Sequence, residues 1–308
     1  MRLNSSSKKS HVLSPSSLPC LAKISTINVS AGCAHNCIYC YSKGYSNYPG
    51  DDAITIYTNL LEKLSYELKR KRKLPNAVYF CPSCDPFQPV KEVLDCTYEI
   101  MRLMLKHNIG VQFVTKGTIP NNFLELFSQS PNLVSGQIGI ACTDENLRKV
   151  LEPGAPSIAQ RLSCLGKLSK IGVKIAVRAD PLIYQVTDLD AYIQSLCSSI
   201  SEYSKELAVS YLFLRPAIKK GIERINDKML VSKILKPYAS ACKLKIGTCN
   251  STGLALPALI RREGYDRIRA IANKYGITVH ACGCKNNDIV LDTCHISKSI
   301  SQAQAMLF

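Results

Sequence analysis

Gly32-Cys33-Ala34-His35-Asn36-Cys37-Ile38-Tyr39-Cys40-Tyr41 follows a predicted strand, Lys23 to Val29, and precedes the next predicted helix by fifteen residues, so it reads as a loop. Its three cysteines, spaced four and then three apart, can wrap one corner of an iron-sulfur cube and leave the fourth iron open to a small molecule. Zinc is the weaker alternative, because a structural site takes four ligands and only His35 stands nearby to supplement the three.

Outward from this loop, short apolar runs alternate with longer amphipathic ones. Strands are expected at Lys23 to Val29, Ala77 to Cys81, Gly110 to Thr115, Val134 to Ala141, Val173 to Arg178 and Val209 to Leu214, with weaker ones at Leu244 to Ile246 and Thr278 to His280. Helices are expected at Ile56 to Lys71, Val90 to His107, Phe123 to Ser128, Ser157 to Ile171, Leu189 to Leu207, Asp227 to Cys242 and Ala258 to Tyr275. Such alternation means an α/β chain with a parallel sheet or barrel. Residues 1–23 are Ser-rich and aperiodic and are expected to form an extended arm, with an organelle transit peptide as the alternative. No linker cuts the rest: a core over 24–245 and a C-terminal extension over 246–308 fit best.

Composition bounds the partners. With 308 residues, 46% apolar, the chain can bury a sizeable core, and Gly and Pro together number only 31, which excludes collagen and disorder. No run approaches eighteen apolar residues, so no membrane partner is expected. Fifteen cysteines without a signal peptide point to metal binding in the cytoplasm. The formal charge of +16 makes an anionic partner such as DNA or RNA plausible. Against this, the run Lys69 to Lys73 closes a predicted helix, where cations complement the dipole, and the absence of Trp argues against an extended stacking platform.

At the first cysteine group the sequence resembles the radical S-adenosylmethionine (SAM) superfamily, whose signature is Cys-x-x-x-Cys-x-x-Cys with an aromatic residue, here Tyr39, before the last cysteine. The resemblance implies a partial (β/α)6 TIM-like barrel and a [4Fe-4S] cluster on Cys33, Cys37 and Cys40. SAM would chelate the open iron and, on reduction by a partner such as flavodoxin or ferredoxin, yield a 5′-deoxyadenosyl radical. Further stretches are similar to the spore photoproduct lyase-like branch, related to DNA repair photolyases. They are Tyr79-Phe80-Cys81-Pro82-Ser83-Cys84-Asp85-Pro86-Phe87-Gln88-Pro89, with Cys84 where Thr is usual; Val114-Thr115-Lys116-Gly117; and Glu152-Pro153-Gly154-Ala155-Pro156 with Arg161 behind it.

Each candidate also has a reading of its own. Lys116 ends a central strand, where it meets the SAM carboxylate or merely solvent; Glu152 and Arg161 contact SAM or pair with each other; Asp85 contacts the cofactor or accepts bonds from local backbone amides. Cys81, Cys84 and Cys142 sit at or just past strand ends, where α/β proteins place chemistry, and are candidate hydrogen-atom donors to a substrate radical. Cys20, Cys96, Cys164, Cys197 and Cys242 lie singly and read as small hydrophobes.

Ala281-Cys282-Gly283-Cys284-Lys285, followed by Cys294, is too compact for accidental packing. With Cys249 as fourth ligand it reads as an auxiliary iron-sulfur cluster first, a zinc site second and a redox thiol group third. Three functions follow: a spore photoproduct lyase-like enzyme acting on a nucleic-acid base, a radical SAM enzyme modifying a peptide, protein or small metabolite, and a non-catalytic iron-sulfur or zinc protein that binds nucleic acid.

Overall fold

The computed structural model describes residues 1–16, 18–21, 24–246 and 251–289. Its strands are β1 (Arg2–Ser6), β2 (Ser14–Pro15), β3 (Ser25–Ile27), β4 (Ser30–Ala31), β5 (Ala53–Tyr57), β6 (Ala77–Phe80), β7 (Gly110–Thr115), β8 (Val134–Gly139), β9 (Lys174–Leu182), β10 (Glu206–Tyr211), β11 (Cys242–Lys245), β12 (Thr252–Ala255) and β13 (Thr278–Ala281). The helices are α1 (Leu60–Arg70), α2 (Lys91–Lys106), α3 (Asn121–Ser128), α4 (Glu145–Leu151), α5 (Ile158–Lys170), α6 (Asp190–Ile200), α7 (Pro216–Glu223), α8 (Lys228–Leu235) and α9 (Ala258–Asn273).

The main sheet runs β13-β10-β9-β8-β7-β6-β3-β2. Every pair from β13 to β3 is parallel, and β2 closes the edge antiparallel to β3. Helical crossovers join each parallel strand to the next, so the chain is the partial (β/α)6 barrel, open between its two edges. Strands covered on both faces must be apolar throughout, which is why β6 and β7 read as near-continuous hydrophobic runs. On the helix side Phe113 of β7 stacks at 5.9 Å on Phe127 of α3 and meets the edge of Phe87 at 5.1 Å, a ring cluster that fixes α3 against the sheet.

Local physics explains the differences from the expected elements. Ile56 and Tyr57 belong to β5, not to a helix; the stretch Ala53-Ile54-Thr55-Ile56-Tyr57 is β-branched and aromatic, and the four-residue spacing of buried Leu60, Leu64 and Leu68 starts only at α1. The helix expected through Leu207 stops at Ile200, and Leu207 lies in β10. The one expected through Cys242 stops at Leu235, because Pro237 has no N–H to continue it, and a 3-10 turn, Lys236–Ser240, leads into β11.

Both ends of the described chain join the sheets. In 1–23, β1 pairs parallel with β5, β2 pairs with β3, and the Val12 and Leu13 amides donate to the Glu67 carboxylate at 2.7 and 3.2 Å. In 246–308, β13 extends the main sheet at β10. Among the described residues no helix is long and apolar enough to cross a membrane.

Candidate active site

A cavity of about 470 Å³ opens at the C-terminal ends of the parallel strands, where this architecture collects residues from successive loops. Its wall includes Cys33, Cys37 and Cys40 from the loop after β4, Cys81, Cys84 and Asp85 after β6, Lys116 after β7, Arg178 and Asp180 of β9, and Cys282 and Cys284 after β13.

The cysteine loop is clamped by its neighbours. The Ile38 amide donates to the Leu151 carbonyl and the Gly154 amide to the His35 carbonyl, both at 3.0 Å, and the Ala34 amide donates to Gln88 Oε1 at 2.9 Å. Two glycines make this approach possible: a Cβ on Gly154 would lie 2.1 Å from the Ala34 carbonyl oxygen, and one on Gly221 of α7 would lie 2.2 Å from that of Ile38. Asn36, at φ 46°, turns the chain between the first two cysteines. His35 is buried, with Nε2 3.2 Å from Asp85 Oδ2 and Nδ1 3.3 Å from the Gly154 carbonyl. The Nδ1 contact holds the ring against the Gly154 loop, while Nε2 faces the Asp85 carboxylate.

An iron-sulfur cube takes each thiolate on a separate iron, so three cysteines on one cavity wall suffice without a fourth protein ligand. The donor set fits the cube. Cys33, Cys37 and Cys40 share one cavity wall and interact electrostatically with one another, and burial pushes the Cys37 thiol up to about 12. Such thiols give up their protons to a soft metal rather than to water.

Behind the wall lies a buried ion pair. Glu152 and Arg161, 1% and 0% exposed, meet at 2.5 Å, and Arg161 also donates to the carbonyls of Gly139 at 2.9 Å and Pro156 at 3.0 Å. The Tyr39 hydroxyl donates to Glu152 Oε1, so the pair orients the aromatic residue of the cysteine motif. The two side chains thus pair with each other. Lys116, by contrast, faces the cavity with Nζ 5.4 Å from the centre of the Tyr39 ring. Burial alone would lower its pKa; Glu152 and Cys37 more than offset that, so the ammonium stays charged and is available to an anion.

Asp85 is the hub of the β6 loop. Oδ1 accepts from the Thr115 hydroxyl at 2.6 Å and the Phe87 amide at 2.9 Å, and Oδ2 accepts from the Lys116 amide at 2.8 Å. Burial would raise its pKa, but His35, Thr115 and the Lys116 amide hold the carboxyl down at about 2. Cys81, at φ 55°, is hydrogen-bonded through its thiol to Cys84, and both line the cavity. Cys142 stands apart from the cavity wall, its thiol 3.5 Å from the Asp144 carbonyl. Cys249 and Cys294 lie outside the described residues.

Several site residues escape sequence reasoning. Cys20, in the 3-10 turn Pro19–Leu21, lies on the cavity wall and shares a buried cluster with Cys282 and Cys284, more than 250 residues away. Tyr41 and Tyr45, each 41% exposed, meet edge to face at 5.9 Å on the same wall. Asp180 bridges Arg178 and Lys285, both at 2.7 Å. Only the placement of Tyr41 next to the last motif cysteine and of Arg178 at a strand end were signals available in the sequence.

The radical SAM superfamily model matches residues 27–190, over half of the chain. The chain belongs to the radical SAM superfamily. An uncharacterised protein of Mycobacterium tuberculosis is 25% identical over 185 residues, 57% of this chain and 54% of that protein. A radical SAM Nα-GlyT isomerase of Pseudomonas phage M6 is 23% identical over 167 residues, 54% of this chain and 34% of that one. The chain thus spans about half the length, or less, of these curated relatives. Among solved structures, a mutant of spore photoproduct lyase superposes with a TM-score of 0.68 at 15% identity, covering 90% of this chain and 81% of the other. Another of its mutants, with bound AdoMet and dinucleoside spore photoproduct, gives 0.66 at 14% with the same coverage. At these identities the likeness of this radical SAM protein to them is one of fold.

Proposed function

We propose that this radical SAM enzyme holds a [4Fe-4S] cluster on Cys33, Cys37 and Cys40, cleaves SAM reductively there, and turns the 5′-deoxyadenosyl radical on a hydrogen of a nucleic-acid base. The observation that carries the substrate class is the cavity wall, where the cluster cysteines share the space with two solvent-facing tyrosines and with Arg178 and Arg215. Tyrosine faces accept a splayed-out base by stacking, and the cations meet phosphate. The dinucleoside-bound structural neighbour is consistent with this reading.

Within the site, Lys116 offers its ammonium to an anionic group, the SAM carboxylate being the nearest fit in charge. The Glu152–Arg161 pair holds Tyr39 in place, and Asp85 fixes the β6 and β7 loops together. A low-potential protein such as flavodoxin or ferredoxin supplies the electron.

The test is anaerobic reconstitution followed by measurement of 5′-deoxyadenosine released from SAM, with and without DNA or RNA oligonucleotides. The wild type should release it, and the Cys33, Cys37, Cys40 triple alanine variant should fall to the rate without enzyme. Oligonucleotide binding should weaken steeply with salt and weaken further in Tyr45→Ala. Release by the wild type with salt-independent or absent oligonucleotide binding would overturn the nucleic-acid substrate while leaving the radical chemistry in place.

A further inference from the structure

We infer that Cys20, Cys282 and Cys284 form a second iron-sulfur site on the wall of the same cavity, built from the two ends of the described chain. The Cys284 thiol is hydrogen-bonded to those of both Cys20 and Cys282. All three are buried, and their surroundings are apolar: Leu21, Ile24, Tyr79 and Ala208 complete the cluster, with Leu18, Val114 and Ile246 against it. Soft thiolates in an apolar shell are the ligand set of iron-sulfur centres.

Packing as small hydrophobes would account for the burial of these thiols but not for the scaffold beneath them. The 3-10 turn Gly283–Lys285 that carries Cys284 is tied down from inside by polar groups. Asn286 Nδ2 donates to the Cys282 carbonyl at 2.7 Å, and Asn286 Oδ1 accepts from Arg261 at 2.8 Å and from the Tyr265 hydroxyl at 3.2 Å. Arg261 of α9, 1% exposed, also holds Asp288 at 2.5 Å and donates to the Leu256 carbonyl at 2.7 Å. A fully buried arginine is a costly way to fix a loop whose core-facing groups would otherwise need only apolar contact. Its effect is to preset two thiols on the cavity wall, with the small Gly283 between them. The third is set from the other side by the turn at Cys20, where the Leu21 amide donates to the Leu18 carbonyl at 2.9 Å and the Ile24 amide to the Leu21 carbonyl at 3.0 Å.

The test counts iron, sulfide and zinc on the full chain after anaerobic reconstitution, in the Cys33, Cys37, Cys40 triple alanine background. The triple variant should retain about half of the wild-type iron and sulfide, with the absorption and, after reduction, the paramagnetic resonance signal of a cluster. Adding Cys20→Ser or Cys284→Ser should remove that remainder, while adding Cys242→Ser, a change at an exposed cysteine on β11, should not. Circular dichroism of each variant separates loss of metal from loss of fold. A triple variant free of iron, or holding zinc alone, overturns the inference, as does residual iron that survives Cys20→Ser. None of these outcomes bears on 5′-deoxyadenosine release by the wild type, so the two proposals fail separately.

Discussion

The two cysteine groups on the cavity wall are made in opposite ways. Cys33, Cys37 and Cys40 lie within eight residues, so the chain brings them together whatever the rest of the fold does, and tertiary structure only clamps the loop. Cys20, Cys282 and Cys284 come together only because β2 and β13 form the two edges of one sheet that curves around the cavity. A local site costs little loop-closure entropy and is written as a spacing. A site assembled across the sheet is written only in part, here as Cys282-Gly283-Cys284 without Cys20, and its precision has to come from buried braces such as Arg261.

The largest effect expected on this contrast is at the Glu152–Arg161 pair behind the local site. Glu152→Gln leaves the Arg161 guanidinium buried without a counter-charge and should cost about 3 to 5 kcal/mol in urea unfolding. Because the Tyr39 hydroxyl is left with a neutral amide oxygen in place of a carboxylate acceptor, the reconstituted iron content of the first site should fall at temperatures where the variant is still folded. A variant with wild-type stability and iron would show that the loop stands without its tertiary support.

Next is Gly154→Ala, which pushes a methyl group to 2.1 Å from the Ala34 carbonyl oxygen and should cost about 2 to 3 kcal/mol by overpacking. Backbone must move to accept it, so the change should lower iron on Cys33, Cys37 and Cys40 while leaving the cysteines at the other end of the cavity untouched. Gly44→Ala is the matched control. Its Cβ would meet Ala217 Cβ at 3.4 Å, ordinary contact, and stability should stay within about 0.5 kcal/mol of wild type.

What the sequence made legible follows the same division. The order of parallel strands and helices was readable because strands buried on both faces are apolar runs and helices such as α1 repeat every four residues. The first cysteine loop was readable from spacing alone, and the ends of β6 and β7 from position. Less visible were features whose meaning depends on a partner. β1 carries no alternation, since Arg2-Leu3-Asn4-Ser5-Ser6 becomes a strand only by pairing with β5. Cys20 looked like an isolated small hydrophobe because nothing near it in sequence hints at Cys284. Glu152 and Arg161 were recognised as residues, but whether they face the cofactor or each other is a matter of side-chain direction that no spacing encodes.

The smallest expected loss of stability sharpens the other half of the contrast. Arg261, by hydrogen bonding and charge, holds the Asp288 carboxyl below the usual carboxylate range. A carboxyl with a lowered folded value contributes stability above about pH 4, the unfolded value, and loses it as pH falls through the folded one. Asp288→Asn should therefore cost about 1.5 kcal/mol near neutral pH, measured by urea unfolding, and the gap between variant and wild type should close as pH drops below 4. If the Cys282–Cys284 loop is preset by this brace, the variant should also expose those thiols to alkylation faster than wild type at pH 7, with Cys33, Cys37 and Cys40 unchanged. Equal alkylation rates, with the stability cost present, would mean that Arg261 stabilises α9 without presetting the loop, and that the assembled site owes its geometry to the sheet alone.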